Sequence, residues 1–243
     1  MTETNMTTET ELKLRIAPEQ VEKFLRLPIL QSAVQTTERQ HLYNTYFDTA
    51  DHALLQQGVG LRVRHIGKQR LQTLKTAGTG LSGLHQRQEW EAKIAGDTPD
   101  YSLLADSPLS SWCTEEHHIQ QVKPLFTTDF RRTTWDLTME DGSKIEIALD
   151  QGEIQTATAS IPLHEVELEL KSGVPERLYQ VALILQKSLP LIIENKSKAA
   201  RGYALHQPLP LEFHKAHPTV GITTDMTAEQ AFVKIIWHCL EHL

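Results

Sequence analysis

The chain has 243 residues, with 24 basic and 31 acidic side chains, a formal charge of −7 and 40% hydrophobic residues. This is ordinary globular composition for one large domain, or one domain and a fragment, and it excludes disordered, collagen-like and disulfide-framework chains. Two cysteines, Cys113 and Cys239, are too few for a framework and lack zinc-site spacing, so they read as small apolar fillers in a reducing compartment. The N-terminal stretch carries acids and hydroxyls where a secretion signal needs basic residues and then an apolar run. No apolar run approaches the ~18 residues of a membrane span. The expectation is a soluble, cytoplasmic protein with no membrane partner, and the negative balance speaks against nucleic acid.

The first strong pattern sets Glu9, Glu11, Lys13 and Arg15 on one side of a strand and Leu12, Leu14 and Ile16 on the other. A period of two puts the charges on one face. Pro18 then opens a helix carrying Val21, Phe24 and Leu25, which Pro28 stops or kinks. Arg62 and Arg64 share one face of the next alternating segment; Arg87, Glu89, Glu91 and Lys93 share a face opposite Trp90, Ala92 and Ile94. The stretch from Tyr101 to Val122, broken at Pro108, predicts one or two helices. Arg132, Thr134 and Asp136 form the polar side of another strand, with Arg131 facing the other way. Asp141 and Gly142 mark a hairpin turn before Glu146, Ala148 and Asp150. Glu165, Glu167, Glu169 and Lys171 alternate with Val166, Leu168 and Leu170.

Any one of these charged faces, taken singly, is also what a half-exposed sheet shows to water. Arginines grouped with carboxylates on about eight strands favour closure into a barrel whose charges line the interior. Helices are available to cover the apolar outer faces, notably one opened by Pro175 with Leu178, Val181, Ala182, Leu185 and Leu189 at helical spacing. Residues 207–226, with Pro208, Pro210 and Pro218, read as a linker. Thr227 to Gln230 is a capping box for a last helix carrying Ala231, Phe232, Ile235, Ile236, Cys239, Leu240 and Leu243. Twelve histidines invite a zinc reading. The string from His164 to Glu167 lacks a second histidine and lies on a strand, while His117, His118, His214 and His217 fall in expected loops.

Glu9-x-Glu11-x-Lys13 resembles the opening motif of the CYTH superfamily, the triphosphate tunnel metalloenzymes, which include inorganic and thiamine triphosphatases and one class of adenylate cyclase. The resemblance runs from about residue 7 to 205 through Arg62-x-Arg64, Lys75, Arg87-x-Glu89-x-Glu91, Arg132, Glu146 with Asp150, the run Glu165, Glu167, Glu169, and Lys196, Lys198 and Arg201. It implies an α+β fold, an eight-stranded antiparallel closed barrel with a charged interior and helices outside. The ending resembles bacterial proteins in which a helical, polyphosphate-associated CHAD domain follows. The expected organisation is a tunnel domain over 1–206, a linker over 207–226, and the first helix of a truncated CHAD-like domain over 227–243.

A triphosphate needs several cations desolvated together, and arginine forks suit phosphate oxygens. The expected substrate-binding set is Lys13, Arg62, Arg64, Lys75, Arg87, Arg132, Lys196, Lys198 and Arg201, and Ser197 is a phosphate contact. Carboxylates in such a site imply a hard divalent cation, Mg2+ or Mn2+. The resemblance places it among Glu9, Glu11, Glu165, Glu167 and Glu169. The expected catalytic group is Glu9, Glu11, Lys13, Arg62, Arg64 and Glu167, with Glu89, Glu91, Glu146 and Asp150 as further interior acids. The implied reaction is metal-dependent hydrolysis of inorganic triphosphate; the alternatives are hydrolysis or cyclisation of an organic triphosphate, or a non-catalytic polyphosphate-binding module. Oligomeric state is not legible.

Overall fold

In the computed structural model, which describes residues 5–81, 83–207 and 220–240, the period-two segments are all strands. They are β1 (Asn5–Arg15), β2 (Val34–Asp48), β3 (Val59–Ile66), β4 (Gln69–Thr76), β5 (Thr79–Leu81), β6 (Leu84–Ile94), β7 (Lys123–Thr138), β8 (Lys144–Gln155), β9 (Ser160–Ser172) and β10 (Ile192–Ile193). Every pairing is antiparallel. The order β1-β9-β8-β7-β2-β3-β4-β6 returns to β1 through a ladder running from Asn5 opposite Glu91 to Leu12 opposite Leu84. Eight strands thus close a barrel, which leaves no long sheet edge to protect; β5 and β10 add short pairings to β6 and β1.

The connecting helices are α1 (Val21–Leu25), α2 (Pro28–Gln31), α3 (Ala53–Gln56), α4 (Glu116–Gln121), α5 (Glu176–Gln186) and α6 (Lys198–His206). Pro28 stops one helix and starts the next from its first position, where its missing N–H costs nothing. The expected helical stretch before β7 is two short 3-10 turns, Tyr101–Leu104 and Trp112–Thr114, and then α4. At the hairpin between β7 and β8, Gly142 takes φ +84 and the Asp141 carboxylate accepts the Ser143 N–H at 3.1 Å.

The barrel is inside out, as the alternation requires. Leu12, Leu14, Trp135, Leu137, Ile147, Val166 and Leu168 on the outer face pack against Phe24 of α1 and against Leu178, Val181 and Leu185 of α5. A second outer cluster joins Leu61, Leu74 and Trp90 to Leu54, Leu104 and Leu109, with Cys113 against it. Leu25, expected on the buried stripe, is exposed.

One apolar cluster lies on the inward-facing parity instead: Leu42, Tyr46, Phe126, Phe130, Ile154 and Leu163, joined by Tyr203 of α6. Here α6 covers part of the interior itself. A Cβ on Gly202 would stand 2.1 Å from the Phe126 ring, so only glycine lets the helix seat this closely. Tyr203 donates its hydroxyl to Asp48 at 2.9 Å, and Asp48 also accepts the N–H groups of Thr49, Leu54 and Leu55. One buried carboxylate thereby ties α3 and α6 to the end of β2.

The chain divides into two compact units, Met1–Pro208 and Leu209–Leu243. Within the second unit, α7 (Ala228–Leu240) begins at the expected capping box: Gln230 donates its N–H to Thr227 Oγ1 at 3.2 Å, and Thr227 donates its own to Gln230 Oε1 at 3.0 Å. Phe232, Val233, Ile235, Ile236, Trp237 and Leu240 are all exposed on it. Cys239 is exposed too, which corrects its reading as a filler. The prolines of the expected linker, His214, His217 and Leu243 lie outside the described residues. Among the described residues, no helix is long and apolar enough to cross a membrane.

Candidate functional site

The inward faces enclose a cavity of about 760 Å³. Strand register builds its wall in rows. Glu11, Glu169 and Glu146 stand opposite one another across β1, β9 and β8. The next row holds Lys13, Glu167 and Ala148, and the one beyond runs from Glu165 through Asp150 to Arg132 of β7.

The last row is a neutralised, buried network. Arg132 holds Asp150 with two bonds, Nε to Oδ1 at 2.7 Å and Nη2 to Oδ2 at 2.6 Å, and reaches Glu167 at 2.5 Å. Lys198 of α6 places its ammonium 2.7 Å from Asp150 and 2.9 Å from Glu167, and pairs with Glu165 as well. Arg201 pairs with Glu165. Oxygens of Asp150, Glu165 and Glu167 lie close enough together for a cation, and the cation among them is the Lys198 ammonium. Burial disfavours that charge, but the three carboxylates outweigh burial and raise the Lys198 pKa. Glu167 is likewise held well below its usual range: burial opposes ionisation, while Lys198, Lys13 and Arg132 favour it more strongly. Glu165 goes the other way, because burial together with Glu167 and Asp150 outweighs Lys198 and Arg201.

On β1, Glu9 accepts from Lys75 Nζ at 2.7 Å and from Arg87 Nε at 2.8 Å, and Glu11 pairs with Lys13 and Arg87. Burial opposes ionisation of Glu9, yet Lys75, Arg87 and Lys13 keep its pKa well below 4.5. Lys75 also approaches Glu89 at 3.2 Å, and Glu91 accepts from Thr73 at 3.3 Å.

Arg62 and Arg64 on β3 are different. Arg62 reaches a carboxylate only at 4.0 Å, from Glu89, and its Nε is enclosed without a partner among the described residues. Among those residues Arg64 forms no ion pair; its Nε donates to the amide oxygen of Asn44 at 2.7 Å. Burial, then repulsion from Arg62 and Arg132, lowers the Arg64 pKa to about 10. Burial works against the Arg62 charge, but Tyr46, Glu89 and Glu9 outweigh it and raise its pKa; Arg64 is the cavity-lining cation with too little negative charge around it.

The acids show the complementary deficit on the other wall. Burial, with repulsion from Glu9 and Glu146, raises the Glu169 pKa although Lys171 pairs with it at 2.8 Å. Lys171 lies 3.5 Å from Glu146. Glu146 and Glu169 share one lysine, and with Glu9 and Glu11, which have their own cationic partners, they line the cavity with hard carboxylate oxygens of the type a divalent cation prefers.

The structure therefore brings together Glu9, Glu11, Lys13, Arg62, Arg64, Lys75, Arg87, Glu89, Glu91, Arg132, Glu146, Glu167, Glu169 and Lys198 around one cavity, with Ser197 at the α6 N-cap. It does not bring Lys196, which is exposed with its N–H bonded to Glu194. Asp150, Glu165 and Arg201 sit behind the lining, engaged with each other's neighbours. Sequence reasoning missed Asn44, Tyr46, Thr73, His85 and Lys171, all on inward strand faces. All but Asn44 line the cavity directly. His85 stands opposite Glu11, and burial and Lys13 lower its pKa, favouring the neutral ring. Glu115, His117 and His118 form a separate, largely exposed group away from the barrel interior.

The CYTH domain family model matches residues 7–203. A Haemophilus influenzae protein named inorganic triphosphatase is 37% identical over 203 residues, a match spanning 82% of this chain and 55% of that relative. The chain thus spans about half the length of the curated relative it matches. A solved structure from Hippeastrum, of a protein assigned as an adenylyl cyclase and described as revealing a dominant triphosphatase activity, shares 21% identity at a TM-score of 0.58, over 85% of this chain and 100% of that one; the likeness is one of fold. The barrel, its inward charges and the family match over most of the chain agree: this chain belongs to the CYTH domain family.

Proposed function

We propose that this chain hydrolyses inorganic triphosphate to pyrophosphate and phosphate inside the barrel, with Mg2+ or Mn2+ as the divalent cation. The observation that carries the reading is Arg64. A guanidinium facing an enclosed cavity with no carboxylate partner among the described residues, and with its pKa pressed down to about 10, is suited to bind an anion. The family membership and the name carried by the Haemophilus influenzae relative support the same substrate class.

Glu9, Glu11 and Glu169 would hold the cation, with Glu146 and Glu167 beside them, and when bound it would neutralise phosphate oxygens and polarise water. Arg62, Arg64 and Lys13 bind the phosphate chain and offset charge on the equatorial oxygens and on the departing pyrophosphate. Water forms one new P–O bond at a terminal phosphorus as the bridging P–O bond breaks, and an interior carboxylate takes the proton. No covalent enzyme intermediate is required. Asp150, Glu165 and Arg201 act behind this set by fixing Arg132 and Lys198 rather than by touching substrate. Two free cysteines fit a reducing, cytoplasmic setting. The apolar residues exposed around α7 support reading it as the first helix of a CHAD-like second domain.

The test is phosphate release from inorganic triphosphate, thiamine triphosphate and ATP, with and without Mg2+ or Mn2+. The expected result is metal-dependent turnover that favours the inorganic substrate. Equal turnover of ATP would contradict the substrate assignment, and turnover in chelator would contradict the role of the cation. Glu11→Gln should abolish metal-dependent turnover with little change in shape.

A further inference from the structure

Arg64 is held in place by a neutral side chain. A single row crosses three strands: Arg64 on β3 pairs with Asn44 on β2, and Asn44 pairs with Thr128 on β7. Asn44 and Thr128 are fully buried. The Asn44 amide nitrogen donates to Thr128 Oγ1 at 2.8 Å and lies 3.4 Å from the Thr128 carbonyl oxygen, which leaves the amide oxygen to accept from Arg64 Nε at 2.7 Å. The assignment is self-consistent, because Arg64 has only donors and needs an acceptor there.

Three other interior guanidinium groups are held closely by acids: Arg87 by Glu9 and Glu11, Arg132 by Asp150 and Glu167, Arg201 by Glu165. A carboxylate at the Asn44 position would orient Arg64 equally well but cancel its charge. The amide fixes Nε and leaves the charge, and the two terminal nitrogens, to meet a phosphate fork. Two residues along the same strand face, Tyr46 stands opposite Arg62, with its ring stacked on Phe126 at 4.6 Å.

We propose that Asn44 is a positioning residue for phosphate binding, orienting Arg64 without neutralising it, with Thr128 setting the amide's direction. This rests on the function proposed above. It makes the choice of amide over acid at position 44 a determinant of anion affinity.

Asn44→Asp tests it, because shape is kept while a charge is added, and the Thr128 hydroxyl can donate to the carboxylate where it accepted from the amide. The two consequences have opposite signs: a carboxylate beside a half-buried cation with no ion pair among the described residues should leave the melting temperature of the ligand-free protein unchanged or raise it, while anion binding falls. The probe is imidotriphosphate, whose P–N–P bridges resist hydrolysis, titrated calorimetrically in Mg2+. We expect affinity to fall about tenfold or more, as when a desolvated charge contact is lost at an interface. In turnover assays KM should rise by a similar factor. Thr128→Val should give a smaller fall in affinity with the same sign, which keeps the idea testable if the Asn44→Asp variant is poorly folded. A lower melting temperature with unchanged affinity would make Asn44 purely structural and overturn the inference. Failure of the wild-type protein to bind the probe would instead overturn the proposed function on which it rests.

Discussion

Two parts of the barrel interior use the same residue types to opposite effect. Around α6, Asp150, Glu165 and Glu167 face Arg132, Lys198 and Arg201, and every charge has partners at hydrogen-bonding distance. Along β3, and across the cavity along β9 and β8, the signs are separated: Arg64 has no ion pair among the described residues and Arg62 reaches Glu89 only at 4.0 Å, while Glu169 and Glu146 share one lysine. A closed network holds itself together; a separated one stores its electrostatic demand for something that enters. Stability should reside in the first region and ligand affinity in the second.

The largest expected effect breaks the closed network. Lys198→Ala leaves Asp150, Glu165 and Glu167 facing each other in a buried site and should cost about 3–5 kcal/mol of folding stability, measured by urea unfolding. A loss below about 1 kcal/mol, the range of exposed ion pairs, would show that water reaches this network and would erase the contrast. Next comes Arg64→Ala, which should weaken imidotriphosphate binding by about 2–5 kcal/mol while unfolding stability holds, since no buried carboxylate loses its partner.

Acid titration separates the two regions as well. Glu9 and Glu167 have folded pKa values below 4.5, so their contribution is fully present above that value and is lost as pH falls through their lowered folded values. Glu169 has a raised folded pKa and contributes in the reverse direction, its stabilisation being complete at low pH and lost as pH rises through the raised value. The melting temperature should therefore fall steeply below pH 4.5 in the wild-type protein and less steeply in Glu167→Gln. Glu169→Gln should remove a destabilising charge above the raised value and lift the melting temperature near neutral pH. The smallest effect is expected at Arg131, exposed on the outer parity of β7, where Arg131→Ala should change stability by no more than about 0.5 kcal/mol.

Much of this was legible in the chain because period-two alternation fixes which side chains share a face. Glu9, Glu11 and Lys13, or Glu165, Glu167 and Glu169, announce their strands through strict charge alternation. β2 does not: its inward face carries Leu42, Asn44 and Tyr46 and its outward face Tyr43, Thr45 and Phe47, so neither polarity nor charge alternates, and register shifts interrupt its pairing with β7. The strand that stands beside the two arginines was therefore invisible, and Asn44 and Tyr46 with it. Position along a strand was harder still. Glu165 and Glu169 share a face four residues apart, yet one is sealed under Lys198 and the other lines the cavity. Only register against β1 and β8, and the seating of α6 on Phe126 through Gly202, separates them. Lys196 was misplaced for a related reason, since Ser197 begins the helix and turns Lys198 inward but leaves Lys196 outside.

The most direct measurement is calorimetric titration of imidotriphosphate in Mg2+ into the wild-type, Arg64→Ala and Arg131→Ala proteins, with unfolding curves recorded on the same samples. The account predicts binding in the wild-type and Arg131→Ala proteins, a loss of affinity of about 2–5 kcal/mol in Arg64→Ala, and unchanged unfolding stability in that variant. Equal affinity in all three proteins would contradict the claim that Arg64, the cavity-lining arginine without an ion pair among the described residues, binds the phosphate.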